Sequence, residues 1–381
     1  MKHLYTGVSA WWPISLAWIV VISACSFPRP AKTETTGRIY KSASGIRFRV
    51  KVVAKNLEIP WSLAFTPDGR IFVTERPGRV RVIEKGVLRA KPLAVIKEVE
   101  HSGEGGLMGL ALDPKFSENR FLYLCYTYLG PTGLTNRVVR YRESSGQLAD
   151  QNVIVDDVPG NEFHNGCRLR FGPDGKLYVT TGDAGQSRQA QALTSLAGKI
   201  LRLNRDGTIP SDNPFHPSPI YSYGHRNPQG IDWHPITGLL FSTEHGPVGG
   251  DEVNLIEAGK NYGWPVVHHR ATKEGMVRPL LEFSPAIAPA SGSFYRGDLM
   301  PFKYNFFFGA LRGKHIHRVV LKRPDYRMVE LNERLLDGVF GRIRDVVEGP
   351  DGAIYFCTSN RDGRGWPQRD DDRVLQIVPA K

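Results

Sequence analysis

The sequence predicts an all-β fold, a six-bladed β-propeller of four-stranded antiparallel blades, because one local pattern recurs along most of the chain. The pattern is an apolar strand, a turn that contains Pro and usually Asp-Gly, and a second apolar strand. Pro presets the backbone of the turn, Asp and Gly complete it, and the flanking runs are rich in β-branched and aromatic residues, as strands require. The copies are centred on Pro67, Pro114, Pro173, Pro235 and Pro350.

The spacing of these turns predicts the number of blades. The first three intervals between the turn prolines are 47, 59 and 62 residues, and the last is 115, which leaves room for two units. A sixth, divergent unit fits between Ser293-Phe-Tyr295 and Asn305-Phe-Phe-Phe308. A β unit sustained at this period indicates a propeller over residues 40–381. A β-sandwich or barrel with chance resemblance between its turns is the alternative, and the length of the repeat disfavours it.

Residues 1–25 have the character of a targeting segment. Lys2 and His3 precede an apolar stretch, Trp11 to Ala24, which predicts a secretory signal peptide. Cys25 directly after Ser-Ala resembles a bacterial lipobox, in which Cys25 is lipidated; an ordinary cleaved signal or an uncleaved anchor are the alternatives. Residues 26–39 are then a tether. We therefore expect an exported periplasmic or cell-surface lipoprotein, held to the membrane by its N-terminal lipid.

The chain is basic, with 50 Lys and Arg against 38 Asp and Glu and a formal net charge of +12. It has no short Lys/Arg-rich run and no recognisable nucleic-acid module, so no nucleic-acid partner is expected. The charge is compatible with a solvated basic surface or with an anionic ligand.

Three cysteines follow the N-terminal segment, and none has the C-x-x-C spacing of a zinc site. Cys125 and Cys357 lie in apolar strand-like runs, which predicts buried small side chains. Cys167 follows a turn-prone stretch. No disulfide framework can be inferred from the spacing.

Polar segments without an obvious structural purpose are the candidates for chemistry. His164 lies just before the clearest blade strand, and Asp183 follows the partner strand of the same unit. A histidine is the natural general base near neutral pH, although a single histidine is more often structural. Gly246-Pro247 offers exposed carbonyls suited to a hard cation such as Ca²⁺, with the acidic Asp251-Glu252 nearby.

Two arginines on one strand indicate an anionic ligand. Arg342 and Arg344 alternate along a predicted strand and therefore share a face. Two guanidinium groups on one face need solvent or partners, and they fit a polycarboxylate. Arg312 could add a third cation.

Taken together, these segments resemble the soluble PQQ-dependent aldose sugar dehydrogenases, also called glucose/sorbosone dehydrogenases. The resemblance runs from about Leu57 to Ile377 and is specific as a set. It rests on Glu104-Gly-Gly-Leu-Met-Gly109, His164-Asn-Gly-Cys-Arg-Leu169, Gly172-Pro-Asp-Gly175, Gly224-His-Arg-Asn-Pro-Gln229, Glu244-His-Gly-Pro247, Glu252-Val-Asn-Leu-Ile256, Asn261-Tyr-Gly-Trp-Pro265 and Arg342-Ile-Arg-Asp345.

The resemblance implies a six-bladed propeller with pyrroloquinoline quinone (PQQ) and Ca²⁺ at the channel mouth, oxidising aldose sugars at the C1 hydroxyl to lactones. His164 would take the hydroxyl proton while hydride passes to the quinone C5, and a quinone or cytochrome would accept the electrons. The implied site residues are Arg226, over the developing charge; Asn227, bonded to the cofactor; Arg312, Arg342 and Arg344, on its carboxylates; Glu104 and Asp183, near the substrate or His164; Tyr295, beside the cofactor; the Gly246 and Pro247 carbonyls, on Ca²⁺; and Glu252 with the Tyr262 carbonyl, at a second, structural Ca²⁺.

The sequence departs from the family pattern at and near these places, and the segment before His164, at Phe163, lacks an acidic neighbour seen in some members. Cys167 stands where the family usually has Gly, so it either crowds the backbone after His164 or adds an oxidisable thiol there. The lysine expected in the cofactor clamp is matched only by Arg312.

Two other functions remain open at this point. A Ca²⁺-dependent propeller hydrolase or lactonase would keep a metal and a histidine, and a lipid-anchored propeller could bind carbohydrate or protein without redox activity. Neither needs Arg342 and Arg344 on one strand, so this pair favours the dehydrogenase.

Overall fold

The computed structural model describes residues 37–380. The predicted signal peptide and lipobox (1–25), with Cys25, lie outside the described residues, and so does the predicted tether (26–39) as far as residue 36. No helix in the described part of the chain is long and apolar enough to cross a membrane.

The described chain is built almost entirely of β-strands. There is one short α-helix, α1 (Phe116–Asn119), and one 3₁₀ turn (Ser187–Gln191). The strands are β1 (Ile39–Lys41), β2 (Arg47–Ala54), β3 (Pro60–Phe65), β4 (Ile71–Glu75), β5 (Arg79–Glu84), β6 (Val87–Leu88), β7 (Ala94–Val95), β8 (Leu107–Leu112), β9 (Phe121–Gly130), β10 (Gly133–Ser144), β11 (Gln147–Pro159), β12 (Gly166–Phe171), β13 (Leu177–Thr181), β14 (Lys199–Leu203), β15 (Ile220–Tyr223), β16 (Pro228–Trp233), β17 (Leu240–Glu244), β18 (Asp251–Ile256), β19 (Leu281–Phe283), β20 (Pro289–Phe294), β21 (Phe306–Ala310), β22 (His315–Leu321), β23 (Val329–Leu335), β24 (Ile343–Glu348), β25 (Ile354–Thr358) and β26 (Val374–Pro379).

These strands form six antiparallel sheets, which confirms the predicted six-bladed propeller. Blades 2 to 5 are four-stranded: β8–β11, β12–β15, β16–β19 and β20–β23. Blade 1 is β3–β6 with the short β7 also paired to β5, and blade 6 is β24-β25-β26-β2-β1. Two blades therefore carry one strand more than predicted.

The ring closes between the first and last parts of the described chain. In blade 6, β2 pairs with β26, with Val50 opposite Ile377. The first strands of successive blades (β3, β8, β12, β16, β20 and β24) contact one another around the ring, including β24 against β3. Apolar side chains fill the space between blades; Phe241, Phe294 and Phe306, for example, pack from blades 4 and 5 into one buried cluster. The central channel is thereby surrounded by six first strands.

The repeated turns of the sequence all join the first and second strands of a blade. Gly69, Gly175 and Gly352 in these turns have φ between +71° and +84°, which L residues rarely adopt. In blade 2 the corresponding turn instead leads into α1. We call the end of the propeller that carries these turns the turn end, and the opposite end, where the first strands begin, the cavity end.

A disulfide joins blades 2 and 3, which corrects the interpretation of the cysteines. Cys125 in β9 is bonded to Cys167 in β12, and both are buried. Their separation of 42 positions in the sequence gave no signal for the pairing. Cys167 is therefore not a free thiol, and it adopts a φ of +67°, a conformation that glycine takes at least cost. Cys357 is buried and outside this disulfide, as predicted.

Candidate active site

A cavity of about 330 Å³ lies at the cavity end of the propeller. Residues at or near the beginnings of first strands line it, including Trp61 (β3), Met108 (β8), Gly166 (β12) and Gln229 (β16). These strands converge on the central channel, so the cavity forms where all blades can contribute a side chain.

Arginine dominates the charge of this cavity. Five arginines line it against two carboxylates, Glu104 and Asp362; the arginines are Arg76, Arg312, Arg342, Arg344 and Arg364. The predicted cations Arg312, Arg342 and Arg344 are thus brought together by the fold, from blades 5 and 6. An enclosed excess of positive charge favours an anionic ligand.

The arginines differ in how they are held. Arg342 donates from Nε and Nη2 to Asp362, at 2.8 and 2.7 Å, so its charge is neutralised and its plane fixed. Arg344 donates from Nη1 to Gln229 Oε1 at 2.9 Å, and burial lowers its pKa to about 9. Arg312 is exposed at the rim. Arg344 therefore brings a charge into the cavity with a neutral side chain, Gln229, as its hydrogen-bond partner.

Several buried polar atoms around the cavity have no hydrogen-bond partner among residues 37–380. They are Arg76 Nε, Arg344 Nε, Asn227 Nδ2 and His245 Nε2. A buried donor without a partner is costly, and native proteins rarely retain one without reason. These atoms and the arginine excess fit an anionic ligand with several acceptor oxygens, as PQQ is.

His164 and Asp183 form a hydrogen-bonded pair beside the cavity. His164 Nδ1 lies 2.7 Å from Asp183 Oδ1. Burial opposes ionisation of Asp183, but the hydrogen bond and charge of His164, together with donors at Gly185 N and Trp264 Nε1, lower its pKa. Asp183 is therefore ionised at neutral pH and can only accept, so Nδ1 of His164 is the donor in this hydrogen bond and Nε2 is the ring nitrogen that Asp183 does not engage. His164 does not itself line the cavity, whereas its neighbours Asn165 and Gly166 do.

The backbone around this pair is closely fitted. His164 has a φ of +59°, and its carbonyl lies so near Gly182 that a Cβ there would be 1.9 Å from the oxygen. The His164 carbonyl accepts a hydrogen bond from Ala184 N at 3.1 Å, and Glu104 Oε2 accepts one from His164 N at 3.2 Å. The position of the imidazole is thus set by its backbone as well as by Asp183.

Arg226 and Asn227 approach the same region from blade 4. Asn227 is fully buried, and its Oδ1 accepts hydrogen bonds from Gly166 N and Gln229 Nε2. Arg226 donates from Nη1 to the His245 carbonyl at 3.1 Å, and burial lowers its pKa. Through Gln229, Asn227 is also connected to Arg344.

The loop that follows β17 carries the predicted cation ligands Gly246 and Pro247, directly after the cavity residue His245. No hydrogen bond to either carbonyl is found within residues 37–380. Two adjacent carbonyl oxygens fit Ca²⁺. Asp251 has another task, because Oδ1 accepts from Gly246 N and Oδ2 from Ile287 N and Ala288 N.

Glu252 and Tyr262 lie away from the cavity lining. Glu252 faces Glu244 across the β17–β18 pair, and burial followed by the charge of Glu244 raises its pKa. The Tyr262 hydroxyl donates to Leu255 O at 2.7 Å, and its ring stacks on His225. Among residues 37–380 no group of three or more His, Cys, Asp or Glu side chains has the geometry of a metal site.

Tyr295 is not brought to the cavity. It follows β20, whose far end lies at the turn end, and its hydroxyl donates to Gly352 O at 2.7 Å. Its side chain is buried in the apolar cluster of blades 5 and 6. The structure thus separates Tyr295 from the other predicted site residues.

Other residues at the cavity were not singled out from the sequence. They are Trp61, Arg76, Gln229, His245, Asp362 and Arg364. Arg364 donates to Glu104 Oε1 at 2.5 Å, across 260 residues of sequence. The position of one of these segments could have been predicted from the sequence, namely Asn360-Arg-Asp-Gly-Arg364. It is a charged, Gly-containing loop after the second strand of a blade, and such a loop must lie at the same end of the propeller as His164.

A propeller whose channel mouth combines a histidine–carboxylate pair with an arginine-rich cavity defines the class: a propeller with a cationic cavity at the channel mouth, suited to an anionic ligand. Comparison with known proteins gives the family. The model of the glucose/sorbosone dehydrogenase family matches residues 57–367. The chain therefore belongs to the glucose/sorbosone dehydrogenase family.

Individual relatives agree with this assignment. Aldose sugar dehydrogenase YliI of Escherichia coli is 35% identical, over 82% of this chain and 91% of that protein. Quinoprotein glucose dehydrogenase B of Acinetobacter calcoaceticus is 33% identical, over 70% of this chain and 61% of that protein. The PQQ-bound aldose sugar dehydrogenase of Streptomyces coelicolor is 35% identical and superposes with a TM-score of 0.78, over 87% of this chain and 98% of that one.

Proposed function

We propose that this protein oxidises the C1 hydroxyl of aldose sugars to lactones, with PQQ as hydride acceptor and His164 as general base. The observation that carries the proposal is the His164–Asp183 pair beside a cavity lined by five arginines. The PQQ-bound relative of the same fold supports the choice of cofactor. A hydrolase or a purely binding propeller would have no use for the arginine excess.

The chain's own residues would hold the cofactor in distinct ways. Arg344, with its Nε unpaired among the described residues, and Arg312 at the rim would bind its carboxylates. Arg342, already paired with Asp362, would contribute orientation more than net charge. Asn227 would donate from Nδ2, and Glu104 would hold the loop before β12 through His164 N. When bound, the quinone supplies the hydride acceptor.

The proton would be handled by the histidine–carboxylate pair. With Nδ1–H donated to Asp183, the Nε2 lone pair of His164 would accept the C1 hydroxyl proton. Asp183 stabilises the imidazolium that forms. Arg226 would stabilise negative charge as it develops on the reacting oxygen.

Calcium is the second expected component. The Gly246 and Pro247 carbonyls would bind one Ca²⁺ close to the cavity residue His245. Glu252 and the Tyr262 carbonyl would bind a second, structural ion. Chelation should then lower both PQQ retention and the melting temperature.

The test is reconstitution of the purified protein with PQQ and Ca²⁺. We expect aldose-dependent dye reduction, and a loss of roughly hundredfold to ten-thousandfold for His164→Ala, the range for removal of a general base. PQQ absorbance should persist in that variant. His216→Ala, at an exposed loop histidine, is the matched control and should keep full activity. Absence of both bound PQQ and activity across a panel of aldoses would refute the proposal.

Export and anchoring complete the proposal. We infer from the sequence that Cys25 carries a lipid and that the propeller works outside the cytoplasm, passing electrons to a quinone or cytochrome. Membrane association that is lost in Cys25→Ser would support the anchor. An unchanged distribution between membrane and soluble fractions would contradict it.

A further inference from the structure

Trp264 connects two of the side chains proposed for the reaction, although neither its motif nor the cavity assigned it a role. Its indole Nε1 donates a hydrogen bond to Asp183 Oδ2 at 2.7 Å. The guanidinium of Arg226 lies over the same ring, with Cζ 5.3 Å from the ring centroid. One side chain thus contacts both the carboxylate that holds His164 and the cation Arg226.

The ring of Trp264 is itself held in place by its backbone. Trp264 N donates to Gly224 O at 2.9 Å, two residues before Arg226. Trp264 O accepts from Gln191 Nε2 at 2.7 Å, and Gln191 also bonds Asn261. The segment that carries Trp264 is therefore fixed to blade 3 and to the beginning of the Arg226 loop.

The two oxygens of Asp183 have separate tasks. Oδ1 faces His164 Nδ1 and accepts from Gly185 N at 2.8 Å, whereas Oδ2 faces Trp264 Nε1. The titratable or charged groups that act on Asp183 are His164, from the segment before β12, and Arg226, from the segment after β15. Without the indole N–H, the buried carboxylate could rotate and release the imidazole.

We propose that Trp264 is a positioning residue for sugar oxidation: its N–H fixes the Asp183 carboxylate and its ring supports Arg226, so that His164 keeps one orientation. This inference rests on the proposed function. Trp264 acts through Asp183 and Arg226 and does not itself exchange a proton with the substrate.

Trp264→Phe keeps an aromatic ring but removes the N–H donor together with part of the ring volume, a loss of volume that the control Trp233→Phe shares. We expect kcat to fall roughly tenfold, the scale expected when a catalytic group is slightly misplaced, with KM changed less than about twofold. Because loss of a donor to the charged form raises the pKa of Asp183, the Asp183 carboxyl should titrate at higher pH in this variant. Trp233→Phe, a buried tryptophan in blade 4 remote from the cavity, should change neither quantity.

A double-mutant cycle separates positioning from general damage. If Trp264 acts through Asp183, Trp264→Phe should cost little further activity in an Asp183→Asn background. Fully additive losses would overturn the proposal, and so would a raised KM with unchanged kcat, which would assign Trp264 to sugar binding.

A measurement without cofactor keeps the inference distinct from the proposed function. In the ¹⁵N spectrum of the cofactor-free protein, the indole signal that disappears in Trp264→Phe should shift in Asp183→Asn, while the other indole signals stay. If that signal does not respond, the hydrogen bond and the inference both fail. If the indole signal responds but no aldose is oxidised with PQQ, the hydrogen bond is present but the proposed function fails. The role of Trp264 in sugar oxidation then fails with it.

Discussion

At the turn end of the propeller, closely similar turns join the first and second strands of successive blades, and their charges are paired. Arg70, for example, binds Asp68 and the buried Glu143. At the cavity end His164 and Cys167 have positive φ, and the cation Arg344 has a buried Nε without a partner in the described chain. The turn end thus pairs charges such as Arg70 with its own residues, whereas the cavity end leaves a buried cationic donor for a ligand.

The largest expected effect comes from the covalent link at the cavity end. Replacing Cys125 and Cys167 together by Ala should lower the free energy of unfolding by about 3 kcal/mol, typical for a native disulfide. Hydrogen exchange should accelerate around His164 and remain slow in the turns. Cys357→Ala is the control and should cost less. If protection from hydrogen exchange fell equally at the turn end and the cavity end, the disulfide would not stabilise the cavity end in particular.

An arginine exchange at each end tests the comparison most directly. Arg344→Gln should weaken PQQ binding by roughly thirtyfold, the loss expected from a charge-assisted hydrogen bond of about 2 kcal/mol. The melting temperature of the cofactor-free protein should not fall, because a desolvated charge is removed. Arg70→Gln should do the reverse, destabilising the fold by about 2 kcal/mol while PQQ affinity is kept. Calorimetry with and without PQQ measures both. A destabilised Arg344→Gln apo protein would contradict the comparison.

Two glycines offer a smaller and sharper contrast. Gly182→Ala places a Cβ against the His164 carbonyl, so kcat should fall roughly tenfold through displacement of the imidazole. Gly175→Ala, at a turn with open space around it, should cost about 1 kcal/mol of stability for its positive φ and leave kcat unchanged. Steady-state kinetics and thermal melts of the two variants suffice. Equal kcat values for both would show that this contact does not position His164.

The smallest effect is a pH dependence at the cavity mouth. Burial opposes ionisation of Glu104, but charges including Arg364 lower its pKa from 4.5 to about 2. A depressed carboxyl pKa stabilises the fold above pH 4.5, and this contribution is lost as the pH falls towards 2. Because burial also lowers the pKa of His245, Arg364 supplies the charge at neutral pH. Glu104→Gln should be about 1 kcal/mol less stable at pH 7 and equal to wild type near pH 2 by denaturant titration.

The contrast between the ends also explains what the sequence could predict. The turns around Pro67, Pro173 and Pro350 are local signals, so blade number and the position of the divergent unit were predictable. The family motifs indicated His164 and the Arg342–Arg344 strand. Arg76 and Arg364 were missed because ring closure alone brings their loops together. The Cys125–Cys167 bond and the location of Tyr295 likewise depend on which strand ends lie at the same end of the propeller.

Ring closure through β2 and β26 has a consequence for the order of events during folding. Blade 6, which carries Arg342 and Arg344, pairs β1 and β2, from the beginning of the described chain, with β24, β25 and β26, from its end. Each of the other five blades uses strands that follow one another in sequence, so only blade 6 needs a pairing across the whole described chain. The wall that carries Arg342 and Arg344 is therefore complete only when β2 and β26 have paired, and capture of the cofactor would report that this pairing has formed.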